Sequence, residues 1–303
     1  MDFNLAGDVI IFYIISVGLV ALLLNYAEVY LPKWIIHFFC YGKIAETRRH
    51  ALIEKIEKIP KKLFLHLYLV AGSMTLVLFY VGLKKYLYNK DVSENILFFL
   101  DVSLGTSRKP LVSEESTLLA IAMLSTHVWK RAFEQMYVCV FSDQKINVIF
   151  YVLGHVYYWT VTASLVGESK GFVRGSHADF SLHKITITQL LCVLIFLWST
   201  YTQLKSNYIL AGLRKNQHGD VVTKEHKIPT GGLFNYVSNP LQLTEILVYL
   251  ALSAVLWQAS TFHYVTVFVI INQVEYAYLS HQWYRNTFKS YPKERKIIIP
   301  YIW

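Results

Sequence analysis

The stretch IPTGGLFNYVSNPLQLTE, residues 228–245, decides how the rest of the chain is read. Its turn signals, Gly231-Gly232 and Asn239-Pro240, mark a polar loop, and it runs directly into an apolar helix that opens with a carboxylate, Glu245. A loop of this kind between apolar helices is either an ordinary connection or the place where a polar ligand meets a hydrophobic scaffold, since loops carry both turns and functional residues.

Outward from that loop, the composition is that of a membrane protein. Hydrophobic residues make up 54% of the 303 and charged residues 16%, with a mean hydropathy of +0.37, more than a soluble core requires. The formal charge of +9 then points to loops facing anionic lipid and to a negatively charged ligand, not to nucleic acid. Cys40, Cys139 and Cys192 lack CxxC spacing and read as small buried hydrophobes, so neither a disulfide framework nor a metal site is expected. No basic residue precedes the first apolar run, which is therefore expected to persist as an anchor.

Seven segments, near 9–31, 63–83, 116–141, 146–166, 185–204, 242–260 and 262–283, are long enough or nearly so to cross a bilayer as helices. The last two are joined so closely that they form a tight hairpin or one is partly re-entrant. With no internal repeat, the expectation is a single all-α integral membrane bundle of about seven transmembrane helices spanning 1–303. Segments 32–62, 142–145, 205–241 and 284–303 hold 19 Lys/Arg against 8 in the opposite loops. That bias predicts a lumenal N-terminus, a cytosolic C-terminus and a cytosolic 228–245 loop.

Ionisable residues inside spans are costly and mark interior sites. The third span holds His127, Lys130, Arg131 and Glu134, whose spacing of three and four places them on one face. Arg131 and Glu134 either pair to satisfy each other or line a site; pairing itself requires a polar interior. The fifth span ends with Gln203, Asn207 and Arg214 on one stripe: two amides and a guanidinium suited to nicotinamide, ribose and phosphate, or else a solvated helix end. In the second span His66 and Tyr68 are candidate proton donors, or ordinary hydrogen-bonded side chains. In the last, Ser280 and Tyr284 share a face, as do His281 and Arg285. The chain has no GxGxxG, Walker A, HExxH or CxxC pair, which excludes a Rossmann or P-loop nucleotide site.

Three patches, HVWKRAFEQMYVCVFS at 127–142, YILAGLRKN at 208–216 with HKIPTGGLFNYVSNPLQLTE at 226–245, and SHQWYRNTFKSYPKERKIIIPYIW at 280–303, together resemble the steroid 5α-reductase family, most of all its polyprenal (polyprenol) reductase branch. A weaker echo lies in YGK at 41–43 and IPKKLFLHLY at 59–68. The resemblance covers most of the C-terminal part, 127–303. It implies a seven-helix reductase of the endoplasmic reticulum membrane that uses NADPH and a long-chain polyprenoid, in dolichol synthesis for protein N-glycosylation. It places Arg214, Tyr236, Glu245, Tyr284 and His281 in the cofactor site or its support; Arg131, Gln203, Asn207, Asn239 and Ser280 are further cofactor candidates by their polarity and position. Where the family often carries Asn three residues after the Val237-Ser238 pair, this chain has Leu241, so Asn239 or Gln242 substitutes or a contact is lost. The steroid enzymes polarise a ketone with a Glu in the second span and a Tyr in the third. Here His66 and Tyr68 lie near the first and Val128 occupies the second, which argues against a steroid and moves the acid role to His66, Tyr68 or Glu134.

Hydride addition to a C=C needs an acceptor that can hold negative charge; a conjugated aldehyde can and an isolated allylic alcohol cannot. The expected reaction is therefore polyprenal to dolichal, with polyprenol to dolichol as the net change. Reduction of another conjugated enone or enoyl thioester, methyl transfer on a related scaffold, and a non-catalytic membrane scaffold are the rival readings.

Overall fold

The computed structural model describes residues 3–40 and 42–303, so Tyr41 of the 41–43 segment lies outside the described residues. The helices are α1 Leu5–Tyr26, α2 Lys33–Phe39, α3 Ala51–Glu54, α4 Phe64–Tyr88, α5 Glu94–Leu104, α6 Glu114–Phe133, α7 Val148–Val166, α8 Ile187–Gly212, α9 Pro240–Val255 and α10 Thr261–Thr287. Two short strands, β1 Glu57–Pro60 and β2 Lys145–Asn147, pair antiparallel and tie the entry of α4 to the entry of α7. The fold is an all-α bundle.

Each of the seven expected apolar segments coincides with a helix: α1, α4, α6, α7, α8, α9 and α10. Four of them, α1, α4, α7 and α8, are long and apolar enough to cross a membrane, which makes the chain a multi-pass membrane protein. Large side chains such as Phe12, Leu19, Leu194 and Trp198 are exposed on α1 and α8, as lipid-facing residues are. The other three helices are less apolar or shorter. Helix α6 carries Glu114, Glu115, Lys130 and Arg131, α9 has 16 residues, and α10 interleaves Asn272, Gln273 and Glu275.

Two boundaries differ from the sequence reading. The third segment, expected to continue to 141, leaves α-helical geometry at Phe133 and makes a wider π turn over Glu134–Val138, closed by Cys139 N donating to Glu134 O at 2.8 Å. Such turns concentrate at functional positions, and this one buries Glu134 completely. The last two segments form a hairpin joined through residues 256–260, one of the two expected arrangements. The 84–115 loop contains α5, an 11-residue helix too short to span, which buries Leu100 and Leu104 and exposes Phe98.

The main packings are α4 with α6, α8 with α9, α1 with α10, and α9 with α10. The start of α10 is fixed by a distant carboxylate. Glu168 accepts from Ser260 N at 2.8 Å, Thr261 N at 3.1 Å and the Ser260 hydroxyl, satisfying amides that an α-helix leaves open. Where α4 crosses α6, Gly72 faces the Trp129 ring, and a Cβ there would lie 2.9 Å from it. Gly72→Ala is expected to lower the thermal unfolding midpoint in detergent through overpacking of about 1–3 kcal/mol. Gly18→Ala, with nothing within 4 Å of the new methyl, should leave the midpoint unchanged or raise it.

Candidate functional site

The face of α6 that carries His127, Lys130 and Arg131, continued by Glu134 in the π turn, points into the bundle, and three other helices, α4, α8 and α9, supply partners. Glu134 is buried between Lys130 Nζ, 3.3 Å away, and the Arg131 guanidinium. Arg131 NH2 donates to the Tyr68 hydroxyl of α4 at 3.3 Å and stacks over its ring. Lys130 also donates to Gln203 Oε1 of α8, and Gln203 Nε2 donates to Glu245 Oε2 of α9 at 2.7 Å. His127 Nε2 lies 3.2 Å from Glu245 Oε1 and closes the chain. Tyr68, Arg131, Glu134, Gln203 and Glu245, scattered over 178 positions of sequence, thus form one polar network. Its charges balance: two cations, Lys130 and Arg131, face two carboxylates, Glu134 and Glu245. That balance makes the cluster tolerable in an apolar interior.

Three tyrosines not singled out from the sequence complete the wall. Tyr249, one turn beyond Glu245 on α9, is buried with its ring edge against His127 and hydrogen bonds Tyr157 of α7. Tyr158 meets Tyr68 edge-on. In sequence Tyr157 and Tyr158 sit within an aromatic run, HVYYWT, indistinguishable from packing residues. For Tyr249 the four-residue offset from Glu245 was the available signal.

A second group ties the C-terminal tail to the 236–240 loop. Ser238 Oγ lies 2.6 Å from both His281 Nδ1 and the Tyr291 hydroxyl, while Ser238 N donates to Lys296 O at 2.8 Å. Asn239 Nδ2 donates to Ala277 O at 2.9 Å and Ile297 O at 3.1 Å. Tyr284 stacks on Tyr291, and Lys43 Nζ sits 3.5 Å from the Tyr284 ring centroid. The loop itself depends on Gly231 and Gly232, both at positive φ (93° and 55°), where a side chain would be strained.

The remaining predicted residues divide. Asn207 is one turn along α8 from Gln203, as expected, and its Nδ2 is buried without a partner among the described residues; Ser280 Oγ and His127 Nδ1 are in the same position. Arg214 does not continue the α8 stripe, because the α-helix ends at Gly212; its guanidinium donates to Val140 O at 2.6 Å and lies 3.3 Å from His226 Nδ1. His66 is not part of the network. Two residues along a helix turn it roughly 200° from Tyr68, so it is exposed on the outer face, 3.0 Å from the Tyr151 hydroxyl. Tyr236 is exposed beside Tyr301. Asn239 commits its amide donor to the tail, and Leu241 contributes only its carbonyl, to Gln203 at 3.4 Å and Thr244 at 3.0 Å.

Buried donors left unpaired cost about 1–3 kcal/mol each, so Asn207 on α8 and Ser280 on α10 each fit a bound polar partner. Glu134, held by two cations, fixes the Arg131 guanidinium in place. Tyr68 accepts from Arg131 and keeps its own proton to give.

Glu134→Gln leaves Lys130 and Arg131 short of a counter-charge in the interior and is expected to cost about 3–5 kcal/mol. The unfolding midpoint of the detergent-purified protein checks it, and an unchanged midpoint would contradict the pairing. His226 is half-buried, and burial together with Arg214, Lys43 and Lys61 holds its pKa down to about 4 from 6.5. Between pH 6.5 and about 4 the unfolded chain therefore binds a proton the folded chain does not, and stability falls as pH drops through that window. His226→Gln should flatten that part of the midpoint-against-pH curve.

Residues 144–303 match the family described as 3-oxo-5-alpha-steroid 4-dehydrogenase. The chain is 34% identical to the polyprenal reductase of Drosophila melanogaster over 92% of this chain and 87% of that protein. It is 32% identical to polyprenal reductases of Caenorhabditis elegans, over 86% of this chain and 85% of the relative, and of Danio rerio, over 93% of each. An oxidoreductase kinship that spans nearly the whole length, with the interior network carried on four helices of the bundle, leads to one assignment: the chain belongs to the steroid 5α-reductase family, in its polyprenal reductase branch.

Proposed function

We propose that this chain is an NADPH-dependent reductase of the α-isoprene C=C of a polyprenal, one unit over 1–303, with seven membrane-crossing helices, in the endoplasmic reticulum membrane. Its product would serve dolichol synthesis and N-glycosylation. The N-terminus is lumenal and the C-terminus cytosolic, in line with the Lys/Arg bias of 19 to 8. The observation that carries the reading is the contact of Arg131 with Tyr68 inside an otherwise apolar bundle, in a chain whose relatives are polyprenal reductases.

Gln203, Asn207, Glu245 and Ser280 would hold the nicotinamide end of the cofactor, with Arg214 and the basic tail toward its phosphates. When bound, NADPH supplies a hydride for the β-carbon of the conjugated aldehyde. Tyr68 donates its hydroxyl hydrogen bond to the aldehyde oxygen, where negative charge develops, Arg131, fixed by Glu134, stabilises that charge, and the α-carbon takes a proton as the carbonyl re-forms to give the saturated aldehyde. His281 acts on the pocket through Ser238 and Tyr291, keeping the tail closed over the 236–240 loop. The apolar helices exclude water from the reacting carbonyl while the isoprenoid tail leaves between them.

The test is NADPH consumption by the purified protein against polyprenal, polyprenol and a steroid enone, with no other dehydrogenase present. Polyprenal alone should be turned over, and saturation of polyprenol would overturn the reading. His281→Gly should abolish turnover while folded protein is retained. Tyr68→Phe should lower kcat by roughly 10²–10⁴-fold, the range for a lost general acid, with little change in KM for NADPH.

A further inference from the structure

A groove of about 730 Å³ opens at the end of the bundle where β1 leads into α4, the π turn leaves α6 and the chain leaves α8. Five lysines line it, Lys61, Lys62, Lys145, Lys215 and Lys224, and its one lining carboxylate is Asp143, 2.5 Å from Lys224. Lys61 reaches neutral acceptors, Ser142 Oγ at 3.1 Å and Gln144 Oε1 at 2.7 Å. Among the described residues no ion pair engages Lys62, Lys145 or Lys215. Five cations against one carboxylate leave the groove strongly positive. Its rim is apolar: Met136, Tyr137 and Val221 are each more than two-fifths exposed.

We propose that this groove holds the phosphate headgroup of an acidic phospholipid from the surrounding bilayer. Its position at the ends of the spans α4 and α8 places it at headgroup depth, where a ligand arrives laterally from the membrane. Ammonium groups on long stems are point charges suited to a phosphate of variable orientation, and they keep their apolar stems against lipid. The exposed Met136 and Tyr137 offer the first acyl carbons a continuous apolar path from the headgroup. The proposal uses none of the interior network; the groove meets the proposed cofactor site only at Arg214, which donates to the groove's Val140 carbonyl.

Lipid retention tests it. The full chain in phosphatidylcholine micelles doped with phosphatidic acid is washed, and bound phosphatidic acid is counted by native mass spectrometry. The triple variant Lys62→Gln, Lys145→Gln, Lys215→Gln should lose retention by roughly fivefold per lysine, at an unchanged unfolding midpoint because these side chains lie at the surface. Asp143→Asn, which frees Lys224, should raise retention. Unchanged retention in both variants would overturn the proposal. So would weaker NADPH binding by the triple variant in pure phosphatidylcholine, which would assign the groove to the nucleotide. Displacement of the lipid by millimolar inorganic phosphate would assign it to a free anion.

Discussion

Charge balance in an apolar interior is the constraint on which this bundle depends. Lys130 and Arg131 could not remain inside it without Glu134, and Glu245 could not remain without Gln203 and His127. The partners come from α4, α6, α8 and α9, so charge compensation and helix packing are the same requirement. Each helix is placed by the group it must neutralise. The cost of unpaired charge in hydrocarbon makes that placement strict.

The same network explains how a fold with no Rossmann or P-loop element can offer a polar site. Here the polar groups are held by helices within a lipid-facing scaffold, and the 236–240 loop is held by the tail. Ser238 at the crossing of His281, Tyr291 and Lys296 makes α10 and the last residues act as one cover. Residues far apart in sequence therefore set the geometry of the loop. The π turn at Glu134 serves the same end, since it lets the chain leave α6 while the carboxylate stays buried.

Much of this was legible in the residues. Hydropathy located all seven long helices, because each carries an apolar run whatever its partners, and four of them are long and apolar enough to cross a membrane. Three-and-four spacing put His127, Lys130, Arg131 and Glu134 on one face, because helical periodicity is local. What was not legible depended on register and contact between helices. His66 and Tyr68 were equal candidates in sequence, and only the rotation of α4 separates them. Arg214 fell off the Gln203 stripe because the α-helix stops at Gly212, where no strong breaker beyond that glycine marks the end. Tyr157 and Tyr158 were hidden in an aromatic run, since a buried tyrosine that packs and one that donates have the same local sequence. The 228–245 loop was read for its glycines and prolines, but its fixed point is Ser238, whose partners lie 43 and more residues away.

The central claim is that the interior network directs reduction to the conjugated C=C and not to the aldehyde. Transfer of deuterium from NADPH labelled at the reactive C4 position to polyprenal, followed by mass spectrometry of the product, tests it most directly. One deuterium on the former β-carbon with the aldehyde intact is the predicted result. Deuterium on the carbonyl carbon, giving an allylic alcohol, would contradict it.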